Sequence, residues 1–474
     1  MTKTFFFYDL ETTGLSPRED RIMQFAGQRT DMQLNPIGEP INELIRLNDD
    51  TVPSPEALLI TGITPQQTVE NGYSEVDFCK KLINEWFTPD TIVVGFNNVR
   101  FDDEFIRHLL WRNFYDPYEW AWKDGRSRWD MLDVVRMTRA LRPEGITWPV
   151  NENGEQVNKL ELITKANGIS HENAHDALSD VLATIDVAGL IKQYQPRLFD
   201  YLLNLRDKKE VQKLVNLDDK KPFVYSSGRY DKQFAKTTVA FPLTTAPNGN
   251  VVVYDLRHDP SQFVKLGSED IVKRLFASWE ERQAESFESV PVKILQFNKC
   301  PAVAELSVLA KADGWEKISL NQEVVEKHMK VLLENPEFAE NVRSVYESRP
   351  DFERSPDPEA KLYDSLVPDI DKIRIEAVRN ADENKLADFH PEFRDERLPE
   401  LLLHYKARNF PKSLSESEGQ EWETWRTKRL EARIPVAVES INRLYGQPDL
   451  AESQKFILSE LSLWIESIMP ADSY

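Results

Sequence analysis

A chain of 474 residues is too long for one hydrophobic core, and two to four domains are expected. Its composition, 41% hydrophobic and 29% charged, is that of a globular protein, and the lack of any run of about 18 apolar residues excludes a membrane-spanning helix. The 59 Lys and Arg against 80 Asp and Glu leave a formal net charge of −21, which argues against a general binder of polyanions.

The N-terminus has no basic segment followed by an apolar core and a cleavage site, so no secretion signal is expected. Cys79 and Cys300 are far apart and lack metal-ligand spacing, which fits a reducing cytoplasm. The aromatic run Phe5-Phe6-Phe7-Tyr8 predicts a buried strand. It ends on Asp9-Leu10-Glu11, and residues two apart share a face of a strand, so the two carboxylates project side by side. Like charges that close call for a cation between them, and hard oxygen ligands suit a divalent metal. Thr12, Thr13 and Gly14 follow as a tight turn whose hydroxyls and open backbone suit a phosphate or sugar. The Asp-x-Glu spacing recurs at Asp102/Glu104, Asp351/Glu353 and Asp357/Glu359, so alone it describes a solvated strand end as well as a metal site.

Further strands are predicted over 21–31 and 40–47, completing an antiparallel meander. Ser54 caps a helix that has Pro55 at its first position. Residues 73–87 have the periodicity of an amphipathic helix, and 91–95 read as a short buried strand closed by Gly95. Strands mixed with helices predict an α/β layer fold, a mixed sheet with helices packed on it. After Asn97 and Asn98 the acids Asp102, Asp103 and Glu104 open a helix, where the dipole favours negative charge; capping and metal ligation both account for them. Between Arg100 and Arg142 nine Lys or Arg are interleaved with Tyr115, Tyr118, Trp120, Trp122 and Trp129. That pattern suits a nucleic-acid single strand, whose phosphates the cations track and whose bases the rings stack on; it equally suits a helix with a solvated face and aromatic core anchors. A helix over 159–168 ends at Gly168. On the next helix Ala177, Val181, Thr184 and Ala188 form a small-residue face, and Asp180 lies a little over one turn beyond His175. The same five-residue step occurs at His171/Asp176 and His390/Asp395.

Three pieces, in this order, act together: Asp9-Leu-Glu11-Thr-Thr-Gly14, Asn98-Val-Arg-Phe101-Asp102 and His175-Asp-Ala177-Leu-Ser-Asp180. The combination resembles the DnaQ-like (DEDDh) 3′-5′ exonucleases. Further blocks are similar to the bacterial exonuclease I family: Arg112-Asn-Phe-Tyr-Asp-Pro-Tyr118, Ala140-Leu-Arg-Pro-Glu-Gly145, Gln195-Pro-Arg-Leu-Phe-Asp-Tyr201 and Ala407-Arg-Asn-Phe-Pro411. They carry the resemblance over nearly the whole chain, though only as short blocks in its middle and C-terminal parts.

The resemblance implies a ribonuclease H-like mixed-sheet exonuclease domain over 1–195, an SH3-like β-barrel domain with helical additions over 196–350 and an all-helical domain over 351–474. From the residues alone, strands are expected over 236–243, 251–256 and 290–297, helices over 270–282 and 323–347, and a linker over 348–358. Helices are also expected over 369–379, 398–406, 421–433 and 450–468. The implied chemistry is two-metal phosphodiester hydrolysis: Asp9 bridges the ions, Glu11 and Asp180 complete one site, Asp102 holds the second, and His175 is the general base. An all-oxygen ligand set favours two Mg²⁺ ions, with Mn²⁺ able to substitute. The implied activity is release of 5′-mononucleotides from the 3′ end of single-stranded DNA, in repair and recombination. Glu11, Thr12, Gly14 and Lys159 would hold the substrate, and Arg107, Tyr118, Trp122, Arg136, Arg142 and Tyr201 would contact the strand. A contact with the acidic C-terminal tail of single-stranded-DNA-binding protein, a monomeric state and a cytoplasmic location without membrane contact are also expected. Two other readings stand beside this one. A DnaQ-like exoribonuclease would use the same catalytic residues, since the 2′-OH is read elsewhere. A non-catalytic single-strand-binding protein is disfavoured by the intact set of five chemical positions.

Overall fold

The computed structural model describes residues 2–171, 176–284, 287–349 and 355–470. The chain divides into two compact units, one formed by 1–127, 171–182 and 353–474 and the other by 128–170 and 183–352.

The first unit is built on strands β1 (Thr4–Thr12), β2 (Ile22–Thr30), β3 (Pro36–Leu44) and β4 (Thr91–Gly95). β1, β2 and β3 form the expected antiparallel meander, and β4 runs parallel to β1 on its other side. β1 is therefore an inner strand, which explains an aromatic run without alternation. Phe6, Tyr8 and Leu10 share one core with Phe25, Phe78, Phe87 and Phe105. β3 lies earlier than the sequence suggests, at 36–44 instead of 40–47; Ile45 leaves it to bridge Tyr73. The helix Pro55–Thr61 is capped by Ser54 as expected. The helix expected over 73–87 is α-helical only at Glu75–Lys81 and widens into a π turn at Leu82–Trp86. That turn leads to a stacked contact of Trp86 on Phe25, with ring centroids 5.0 Å apart.

The described C-terminal part of this unit is helical, with its main helices at Asp369–Asn380, Leu398–Asn409, Glu416–Tyr445 and Glu452–Ile468. It packs on the N-terminal part twice. Leu430, Ile441, Leu458 and Leu461 join Met23, Leu47 and Leu58, while Leu398, Leu401 and Tyr405 join Val76, Trp111 and Phe114. A buried charge network crosses the same boundary. Arg21 pairs with Glu359 at 2.7 Å and Arg408 with Asp50 at 2.8 Å. Buried charges persist only when paired in this way.

A fifth strand, β5 (Ser127–Asp130), runs across the division between the units. The second unit contains a five-stranded antiparallel sheet in the order β10-β6-β7-β8-β9, with β6 (Phe223–Ser226), β7 (Thr237–Ala246), β8 (Asn250–Asp255), β9 (Val292–Leu295) and β10 (Ala302–Glu305). The three strands expected from sequence are β7, β8 and β9. The helix expected over 323–347 is two helices, Gln322–Glu334 and Pro336–Glu347, because Pro336 lacks the N–H that a continuous helix needs and instead opens the second. The helix expected over 270–282 stops at Leu275. The linker expected over 348–358 lies partly outside the described residues. Among the described residues, no helix is long and apolar enough to cross a membrane.

Candidate active site

β4 pairs with β1 only from Thr4 to Phe7, so β1 continues past the carboxyl end of the parallel pair. Positions beyond those carboxyl ends are where open α/β sheets bind ligands. Asp9 and Glu11 occupy them, on the face opposite Phe6, Tyr8 and Leu10 as the alternation requires. The register shifts between Glu11 and Thr12, where β1 ends. Asp180 sits in the first turn of the helix Ala177–Tyr194. One carboxylate oxygen from each of Asp9, Glu11 and Asp180 lies within 4.8 Å of the other two.

Asp102 is the first residue of the helix Asp102–Arg112, reached from β4 through Asn97 in the left-handed region, at φ 71°. It is buried. Its neighbour Asp103 turns into the core, where Tyr8 Oη donates to it at 2.6 Å and Asn98 Nδ2 at 3.2 Å. The Asp102 charge is among those that raise Asp9 and Glu11.

The electrostatics follow from crowding buried acids together. Burial pushes the Asp9 carboxyl well above its usual range, and Asp102, Asp180, Glu11 and Asp176 push the same way. Glu11 is raised to about 8 by burial, then by Asp180, Asp102 and Asp176. Such a set of hard oxygen donors fits a divalent cation, whose charge reverses the cost of bringing them together.

His175 lies outside the described residues. Among the described residues, His171 brings an imidazole to the site, its Nε2 2.8 Å from Asp180 Oδ1. His171 precedes the helix in the chain, and its signal in the sequence is the His171/Asp176 repeat of the five-residue step, which points to Asp176 and not to Asp180. Asp176 caps the helix, accepting from Ser179 N at 3.2 Å, and Gln24 Nε2 on β2 donates to it at 3.5 Å.

The turn after Glu11 is held by its own groups. Thr12 Oγ1 donates to Gly14 O at 2.7 Å, and Asp20 accepts from Ser16 N at 2.8 Å. A Cβ on Gly14 would lie 2.4 Å from Asp20 Oδ2, so any larger residue there requires the Asp20 carboxylate to shift.

The residues expected along a strand are divided between the units. In the first, Arg107 lies 5.7 Å from the Tyr118 ring, and Trp122 is 64% exposed. In the second, Lys159 is exposed beside Glu161, Arg136 pairs with Asp133 at 2.5 Å, Arg142 Nη2 donates to Val308 O at 3.3 Å, and burial raises the Tyr201 hydroxyl to about 12.

A mixed sheet with carboxylates gathered past the ends of a parallel strand pair defines a protein of the exonuclease class, and the Exonuclease family profile matches residues 6–188. The profiles of the Exonuclease I SH3-like domain and the Exonuclease I C-terminal domain match 206–348 and 356–468. Exodeoxyribonuclease I of Escherichia coli strain K12 is 41% identical over 421 residues, 88% of this chain and 88% of its own length. A crystal structure of E. coli exonuclease I in complex with a dA16 oligonucleotide has a TM-score of 0.95 at 38% identity, covering 99% of this chain and 100% of that one. The zinc-bound form of the E. coli complex with single-stranded DNA has a TM-score of 0.93 at 37% identity, covering 98% of this chain and 100% of that one. The chain belongs to the exonuclease I family.

Proposed function

We propose that this protein is a single-stranded-DNA-specific 3′-5′ exodeoxyribonuclease that releases 5′-mononucleotides. The observation that carries the reading is the gathering of Asp9, Glu11 and Asp180 within 4.8 Å at the end of β1, with the Asp102 charge beside them. The relatives' complexes with single-stranded oligonucleotides, at high similarity over the whole chain, support the substrate class.

Divalent metal dependence is supported by the all-carboxylate donor set and by the zinc-bound relative. Mg²⁺, with Mn²⁺ able to substitute, is our choice of ion on ligand hardness. When bound, two such ions supply a nucleophilic water and a stabilised leaving oxygen. Asp9 would help hold both ions, Glu11 and Asp180 one of them, and Asp102 the other. In our reading His175 takes the proton of the attacking water. Thr12 and Gly14 shape the turn that receives the terminal sugar, and Glu11 and Lys159 also hold the substrate. Arg107, Tyr118, Trp122, Arg136, Arg142 and Tyr201 line the rest of the strand.

We read the chain as three functional segments, 1–195, 196–350 and 351–474. We also propose a monomer working in the cytoplasm in DNA repair and recombination, with the acidic tail of single-stranded-DNA-binding protein as a partner.

A substrate panel tests the activity. Single-stranded DNA, duplex DNA and RNA of one sequence are incubated with Mg²⁺, and the products are separated chromatographically. Mononucleotides from single-stranded DNA alone are expected. Faster release from RNA would move the protein to the exoribonucleases, and binding without release would leave a binding protein.

A further inference from the structure

Asp9, Glu11, Asp102 and Asp180 make up the site, and the first three are fixed by where they stand in the fold. Pairing of β1 with β2 sets Asp9 opposite Ala26 and Glu11 opposite Gln24. Asp102 is buried at the start of its helix. Asp180 differs. Its backbone N donates to Asp176 O at 3.0 Å, but it stands in the first turn of a helix that begins at Ala177, and its side chain is 18% exposed. A short side chain with two rotatable bonds at such a place is aimed by what it touches.

It touches His171. The two side chains meet at 2.8 Å, between Nε2 and Oδ1, and the imidazole is only 3% exposed. A carboxylate that ligates a cation is ionised and can only accept, so the bond runs from the Nε2 hydrogen to Oδ1. One accepted bond leaves lone pairs on both oxygens for a metal. A ring nitrogen buried this deeply is kept only where it is hydrogen-bonded, so the contact also holds the ring in place. Outer hydrogen bonds of this kind orient the ligands of a metal and raise their affinity for it. The start of the same helix is tied to the sheet as well. Gln24 Nε2, on the strand position opposite Glu11, reaches Asp176 Oδ1 at 3.5 Å and Asn42 Oδ1 at 2.7 Å.

We propose that His171 is a positioning residue for Asp180, its ring N–H aiming the carboxylate so that it meets a divalent cation together with Asp9 and Glu11. His171 stands outside the three segments of sequence that carry the family resemblance, and its role is separate from that of His175. The inference rests on the divalent metal dependence proposed above.

The test reads metal binding by the full chain directly, as the free Mn²⁺ left in a titration followed by electron paramagnetic resonance. H171A and H171F, the second of which keeps a ring in the buried position, are each expected to raise the Mn²⁺ dissociation constant about 10- to 100-fold. The Mn²⁺ concentration that gives half the maximal rate of nucleotide release is expected to rise with it. H171Q, whose amide nitrogen can take the place of Nε2, is expected to bind Mn²⁺ within about threefold of the wild type. Rescue by a donor and not by a ring is a result that loss of packing would not give. Wild-type affinity in H171A or H171F, or binding by H171Q no tighter than theirs, would overturn the inference. A wild-type chain that binds no Mn²⁺ and releases nucleotides undiminished in EDTA would instead overturn the proposed metal dependence.

Discussion

Tyr8 donates its hydroxyl to Asp103 at 2.6 Å, which turns that carboxylate into the core and away from the acids of the site. Adjacent acids on one helix therefore have separable roles. Asp102→Asn is expected to lower the rate of nucleotide release at least a hundredfold, about the effect of losing several kcal/mol of metal-derived stabilisation, with little change in melting temperature. Asp103→Asn is expected to cost about 1–3 kcal/mol of stability, because it weakens a buried hydrogen-bonded pair, and to leave the rate per folded molecule within severalfold. Melting curves beside single-turnover rates separate the two. Equal rate losses would contradict the assignment.

The raised carboxyls at the site make metal-free stability depend on pH. Glu11 ionises in the fold only near 8, while the unfolded chain ionises near the ordinary carboxylate value. The unfolded state therefore loses its proton first, and the metal-free fold weakens as pH rises from about 5 towards 8. In EDTA the melting temperature is expected to fall over that range. Added Mg²⁺ is expected to raise it more at pH 8 than at pH 6, because the ion replaces protons the site no longer holds. Scanning fluorimetry at both pH values checks this, and Glu11→Gln should flatten the metal-free dependence.

The opposite sign holds for the buried network around Glu359. Arg408 and Arg21 hold the Glu359 carboxyl well below its ordinary range against the burial that raises it, and the same arginines with Arg429 do so for Asp50. Their contribution is complete above the ordinary carboxylate value and is lost as pH falls below about 4. Glu359→Gln leaves buried arginines without their partner and is expected to cost about 3–5 kcal/mol at neutral pH, with a shallower loss of stability in acid. Urea unfolding at pH 3.5, 5 and 7 measures both effects.

Gly14→Ala places a methyl group against Asp20, whose carboxylate accepts from Ser16 N and from Thr13 Oγ1. The turn after Glu11 must open to admit it. A loss of about 1–3 kcal/mol is expected, the cost of overpacking a tight site, together with a raised KM for short oligonucleotides. A KM unchanged from wild type would mean that the turn does not meet the substrate.

Much of the first unit was legible in the sequence because its signals are local. The alternation of β1 placed Asp9 and Glu11 on one face, and Pro55 after Ser54 marked a helix start. What stayed hidden depends on distance. Nothing local links Arg21 to Glu359, 338 residues away, and the pairing appears only when the C-terminal helices dock. β6 and β10, four residues each, are too short to show a period, and each finds its place by pairing with the other. His171 reaches Asp180 from outside the helix, where a spacing argument does not apply. The joint pattern of acids points to this site because three weak signals come in one order; the Asp-x-Glu and His-to-Asp spacings each recur elsewhere in the chain.

The most direct test of the central claim is a time course on oligodeoxynucleotides labelled at the 3′ or the 5′ end, run with Mg²⁺ and with EDTA, for the wild type and Asp9→Ala. The expected result is immediate release of the 3′ label as a mononucleotide and a shortening ladder from the 5′ label, both abolished by EDTA and by the substitution. Release beginning at the 5′ end, or activity that survives Asp9→Ala, would contradict an active site built on β1.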